Sequence, residues 1–151
     1  MAPEVQVKEI PVQLALTVHD RTSLAEVSET IGRAFAAIMT CAQAGAQFVG
    51  SPFALYPAEV TAEFDVVVCM PVAPGAPTAP GVSLEEIAGG TFASTVHKGP
   101  YSKLGAAYGA VQAWMVANGK KPLGPCREVY LSDPDSVPEE ELLTEIDWPF
   151  A

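Results

Sequence analysis

The sequence predicts an α+β fold built from two copies of a βαββ unit, and three observations predict it. Val12, Leu14, Leu16 and Val18 alternate with Gln13, Ala15 and Thr17, the two-residue period of a strand. Leu24, Val27, Ile31, Phe35, Ile38 and Ala42 then recur at spacings of three and four, which marks one face of a helix. The order comes back in the second half: "TFASTVHKGPY" reads as a strand, and Leu104, Tyr108, Val111 and Met115 as a helix.

The elements follow in turn. Pro11 before the first strand predicts an edge or a bulge, because proline cannot donate to a ladder. Ser23-Leu24-Ala25-Glu26 has the form of a capping box at the helix start, and Gly45 suits its C-terminal cap. "FVGSPFALYP" is a turn and short strand, and "AEFDVVVCMPV" an apolar strand ended by Pro71. "PVAPGAPTAPGVS" is rich in Pro and Gly and reads as a connecting loop. In the second half the helix stops near Asn118-Gly119, "PLGPCREVYL" is turn and strand, and "EEELLTEIDWPF" is a strand ended by Pro149. Laid over each other, the halves match Thr17-Val18-His19 with Thr95-Val96-His97, Gly50–Tyr56 with Gly124–Tyr130, and Met70-Pro71 with Trp148-Pro149. One such unit cannot bury its helix face alone, whereas two can share a sheet and a core. The expectation is one domain over residues 1–151, with repeat one at about 5–71, a linker at about 72–86 and repeat two at about 87–150.

Composition excludes several classes of function. The 151 residues carry 18 acidic against 8 basic side chains, a formal charge of −10, and 49% are hydrophobic. Phosphate binding needs a basic stripe; the nearest thing, Lys120-Lys121, follows a helix end, so no direct nucleic-acid partner is expected. Met-Ala-Pro-Glu at the start has neither a basic nor an apolar leader region, so no signal peptide is expected. The apolar stretch around 34–49 is broken by Thr40, Gln43 and Gln47 and is too short to cross a bilayer. A cytoplasmic protein without a membrane role is therefore expected. Cys41, Cys69 and Cys126 are odd in number and far apart, which fits buried free thiols. His19 and His97 have no ligand at metal spacing and read as structural turn residues. There is no phosphate-binding glycine loop and no nucleophile elbow, so neither a metal nor a cofactor is expected. The run Glu139-Glu140-Glu141 reads as a solvated loop.

Chemistry concentrates in "CREVYL". On a strand, Glu128 and Tyr130 stand on one face. By the overlay the tyrosine has a counterpart in Tyr56, but the carboxylate has only Ala54. Glu128 is thus either the carboxylate of a pocket or a solvated strand residue paired with Arg127 or a lysine. Tyr101, Tyr108, Trp114, Tyr130 and Trp148 crowd the second half, and Tyr101 and Tyr108 are two helical turns apart. Such rings either wall a pocket, where a cation gains roughly 0.5–2 kcal/mol per ring, or fill a core. Trp114 is assigned to the core; Phe53 and Tyr56 are the first-half candidates for the pocket. Gly105 with Gly109, and Gly32 with Ala36, give each helix a small face for close approach of a neighbour or ligand.

The ordered set "HKGPYSKLGAAYGAVQAWMVANG", "CREVYLSDP" and "LLTEIDWPF" resembles the GyrI-like small-molecule-binding domain, an effector-binding module also joined to AraC-type and MerR-type DNA-binding regions. The resemblance covers about residues 5–150 and is strongest from Gly89 onward. It implies an antiparallel sheet with two long helices, two copies about a pseudo-twofold axis, and a ligand cleft between them. It further implies a central glutamate ringed by aromatics, here Glu128 with Tyr130, Tyr101, Tyr108, Trp148, Tyr56 and Phe53. Capture of amphipathic, cationic or aromatic small molecules is the leading expectation. The alternative is a hydrolase of strained, cyclopropane-bearing electrophiles, with Glu128 as general base and Tyr130 as orienting or proton-donating group. A third reading is an inhibitor that sequesters another protein through its acidic surface, although no residue pattern supports a particular partner. No helix-turn-helix precedes the first strand, so direct DNA binding is not implied.

Overall fold

In a computed structural model, which describes residues 4–57 and 59–151, the chain forms one curled eight-stranded antiparallel sheet with both helices on one face. Met1–Pro3, on which the reading of the leader region partly rested, and Ala58 lie outside the described residues. The strands are β1 (Gln6–Ile10), β2 (Gln13–Thr22), β3 (Phe53–Tyr56), β4 (Phe64–Pro71), β5 (Ser83–Ile87), β6 (Gly90–Lys98), β7 (Cys126–Tyr130) and β8 (Leu143–Pro149). Helix α1 spans Val27–Gln43 and α2 spans Gly105–Ala117. Each half contains the predicted strand, helix, strand, strand.

Two strands were not foreseen. β1 pairs with β6 and β5 pairs with β2, so each half sends an edge strand to the other half. The sheet order is β1-β6-β8-β7-β3-β4-β2-β5, in which the two halves meet at β7 and β3 and play matching roles outward from there. The linker expected to run to residue 86 therefore ends in a strand. "SLEEI" is too short and too polar to announce one, and its partner lies in the other repeat. Pro11 marks the break between β1 and β2 rather than an edge, because β2 is flanked by β4 and β5. Gly89, between β5 and β6, packs so closely on the β1–β2 junction that a Cβ would collide with the Ile10 carbonyl.

The overlay of Thr17-Val18-His19 on Thr95-Val96-His97 is out by one residue. Leu16 pairs with Met70 and Ala93 with Trp148, and all four point toward a helix. Thr17 pairs with Cys69 on the far face, while Thr95 pairs with Ile146 under α2. A one-residue slip exchanges the faces of a strand, so identical letters misled where facing did not. The histidines are accordingly not equivalent: His19 Nε2 meets Glu85 Oε1 at 2.6 Å, and His97 Nε2 meets the Pro100 carbonyl at 3.1 Å.

Helix α1 packs on β2 and β4 through Ala34, Ile38 and Cys41, and α2 packs on β6 and β8 through Ala107, Val111 and Met115. The small side chains of Ala34, Cys41 and Ala107 let each helix approach the sheet closely. The capping box is not formed: α1 starts at Val27 behind Glu26, with no side-chain cap hydrogen bond. Gly45 and Gly119 do end the helices with positive φ, at 114° and 64°. Because each helix covers the outer strands of its own half, the central pair β3–β7 is left between them.

Candidate functional site

A cleft of about 1260 Å³ opens above β3 and β7, between the two helices. Its floor follows from strand parity. Ala54 and Tyr56 of β3, and Glu128 and Tyr130 of β7, point to the helix side, while Phe53, Leu55, Arg127 and Val129 point away. Ala54 is directly opposite Glu128 in the β3–β7 ladder.

All four tyrosines of the chain line this cleft. Tyr108, from the first turn of α2, donates to Glu128 Oε2 at 2.5 Å, and Tyr130 donates to Oε1 at 3.1 Å. The Tyr56 hydroxyl meets that of Tyr130 at 3.4 Å. Tyr101 sits on a 3-10 turn before α2, not on the helix itself, and its ring meets Tyr130 edge-on at 5.9 Å. Phe35 of α1 approaches Tyr130 from the other side at 6.5 Å. Trp148 forms one wall with its edge against Tyr108 at 6.3 Å; it is mostly core, with its indole N–H donating to the Leu123 carbonyl at 2.7 Å.

Electrostatics follow from burial. Desolvation pushes the Glu128 carboxyl above its usual 4.5, although the Tyr108 and Tyr130 hydroxyls pull it back. Burial, with the Glu128 charge second, raises all four tyrosines, so their hydroxyls stay protonated and act as donors. The ion pairs among the described residues are Lys8–Glu145, His19–Glu85 and Arg21 with Glu63 and Asp65; none involves Glu128. The carboxylate is thus held by neutral donors and has no protein cation against it.

Six of the seven side chains expected at the site line this cleft: Glu128, Tyr130, Tyr101, Tyr108, Trp148 and Tyr56. Phe53 does not. It lies on the far face, buried with Ala15, Cys69 and Ile87, and its ring stacks on the Arg127 guanidinium at 5.3 Å. Parity would have excluded it, since Phe53 and Tyr56 are an odd number of residues apart on one strand. Conversely, Ile31, Phe35, Met39, Phe64 and Gln112 line the cleft and were not singled out. The signal for Ile31 and Phe35 was in the α1 stripe: with Leu24 they are apolar at helix spacing, yet the sheet is met by Thr30, Ala34, Ile38 and Cys41. An apolar stripe wider than the packed face leaves part of itself for a cleft.

Among the described residues no group of three or more His, Cys, Asp or Glu side chains could hold a metal, and no helix is long and apolar enough to cross a membrane. The three cysteines are free and buried.

Comparison with known proteins agrees with this architecture. The C-terminal domain of EcmrR superposes with a TM-score of 0.84 at 24% identity, covering 100% of this chain and 99% of that one. EcmrR in its DNA complex gives 0.89 at 24% identity; 99% of this chain is covered, and it spans 58% of that longer chain. A hydrolase from Listeria innocua gives 0.71 at 16% identity, covering 99% and 93%. SAV2435 bound to tetraphenylphosphonium gives 0.67 at 11% identity, covering 98% and 94%. At these identities the likeness is one of fold. No curated protein matches the chain. The sequence model described as "GyrI-like small molecule binding domain" matches residues 3–151, nearly the whole chain, and the protein belongs to the GyrI-like family.

Proposed function

We propose that the cleft captures amphipathic small molecules that are cationic or aromatic, with Glu128 as the counter-charge. One observation carries this reading: a largely buried carboxylate on a cleft floor is ringed by tyrosine hydroxyls and faces no protein cation. Burying a charge is costly unless a partner compensates it, and a guest cation is the partner this site lacks. A ring face of Tyr56, Tyr101 or Tyr130 turned to such a cation is worth roughly 0.5–2 kcal/mol. Rings and one point charge accept many shapes, so broad selectivity follows. The tetraphenylphosphonium bound by SAV2435 is a lipophilic cation, which makes it a sensible first probe.

The test is calorimetric titration of the wild type and Glu128→Gln with tetraphenylphosphonium and with a neutral aromatic of similar size. The variant is expected to lose about tenfold or more for the cation, roughly 1.4 kcal/mol, and to bind the neutral compound as before. Equal cation affinity in both proteins refutes the reading.

A second reading is supported by the 2.5 Å contact between Tyr108 and Glu128. A carboxylate of raised pKa beside tyrosine hydroxyls is equipped for general acid–base work. In it, Glu128 takes a proton from water, the oxygen adds to a strained cyclopropane carbon, and the ring bond breaks. The electron pair passes to the activating group of the substrate, which is protonated by Tyr130 or Tyr108 as the proton held by Glu128 passes to that tyrosine, so the residues end as they began. Turnover of such a compound by the wild type but not by Glu128→Gln would establish this activity.

A further inference from the structure

The two walls of the cleft are equivalent in position and opposite in chemistry. Ile31, Gly32, Phe35 and Met39 of repeat one occur in the same order and spacing as Leu104, Gly105, Tyr108 and Gln112 of repeat two, and all eight line the cleft. Where repeat two has the Tyr108 hydroxyl, the Gln112 amide and the Glu128 carboxylate, repeat one has Phe35, Met39 and Ala54. Every charged residue lining the cleft is acidic and comes from repeat two: Glu128, Asp133 and Asp135. On the α1 side, Leu24 is 72% exposed, Met39 49% and Val60 44%, so an unfilled apolar surface runs to the mouth.

The two glycines add a second observation. Each sits in a helix or at its start, where glycine is a poor choice. A Cβ at either position would meet nothing within 4 Å, so helix packing does not demand glycine there. Both border the cleft, and side chains at these points would project beside it.

From this we infer that the cleft takes its ligand in one orientation. The cationic end lies against the α2–β7 wall of Tyr108, Glu128 and Gln112, and the apolar body runs along the α1 wall over Gly32, Phe35 and Met39. The ligand class is an amphipathic monocation with its charge at one end. This rests on the proposed cation site and adds the direction in which that site is filled.

The test uses n-alkyltrimethylammonium ions from ethyl to decyl, titrated into the full chain by NMR chemical shift. On the wild type, affinity climbs about three- to fourfold per methylene while the chain finds apolar surface. Gly32→Leu and Phe35→Ala flatten that climb and leave the ethyl member within about twofold of wild type. Gly105→Leu weakens every member by a similar factor and keeps the climb. Melting temperatures of the two glycine variants, expected at or above wild type, separate lost binding from lost folding. If variants on both walls flatten the climb alike, or the pattern is reversed, the orientation is overturned while the cation site stands. If Glu128→Gln binds the series as tightly as wild type, the cation site itself fails and the orientation falls with it.

Discussion

Ala54 and Glu128 face each other across the β3–β7 ladder, and they are also the residues that match when the two halves of the sequence are overlaid. At the point where the repeats meet they therefore differ in charge. The carboxylate lies on one of the two central strands of the sheet, three strands from the β1 edge and four from the β5 edge. This placement gives the cleft one charged floor instead of two, and two like charges at adjacent positions would have repelled each other.

Tyr108→Phe removes the shorter of the two hydrogen bonds to Glu128. With that donor gone, burial acts with less opposition and the carboxyl pKa rises further. Affinity for a permanently charged cation needs the ionised form, so it is lost as pH falls through this pKa. The pH midpoint of binding is expected to lie higher in the variant than in the wild type. Titrations of tetraphenylphosphonium between pH 4 and 8 check this; an unmoved midpoint counts against the Tyr108–Glu128 bond.

Behind the cleft, Asp147 is 1% exposed and neither carboxyl oxygen has a hydrogen-bond partner. Burial raises its pKa to about 7, helped by the neighbouring Glu145, which Lys8 holds at 2.6 Å. The ordinary value in an unfolded chain is about 3.9. Protons are therefore bound more tightly in the folded state, and stability falls as pH rises from about 4 through 7. Asp147→Asn abolishes that titration at nearly constant shape. It is expected to be the more stable protein at pH 8, by on the order of 1–3 kcal/mol, with the gap closing toward pH 5. Urea unfolding at these two values decides it; a variant less stable at pH 8 would mean that Arg127, its cross-strand neighbour, needs the Asp147 charge.

Phe53→Leu is expected to cost about 1–2 kcal/mol of stability, through a smaller buried side chain and a lost stack on Arg127. Ligand affinity should be unchanged, since Phe53 is on the far face. Denaturant unfolding and ligand titration of the one variant read both quantities.

Much of this was legible in the sequence. Alternation and helix spacing located both helices and six of the eight strands, because those signals report burial on one face. β1 and β5 escaped because each is a short edge strand with mostly exposed side chains, so little burial marks one face in its sequence. Six candidate site residues converge on the cleft because aromatics and a lone carboxylate stand out from a repeated frame. Phe53 was misplaced by weighing residue type over strand parity. Phe35 and Met39 were passed over because their apolar character looks the same from the sequence whether a sheet or an empty cleft lies opposite.

The pKa of Glu128, followed by carbon-13 NMR of its side-chain carboxyl with and without a saturating quaternary ammonium ion, tests the central claim most directly. The account predicts a value above 4.5 in the free protein, brought down when the cation is bound beside it. An ordinary value that the cation leaves unmoved would contradict it.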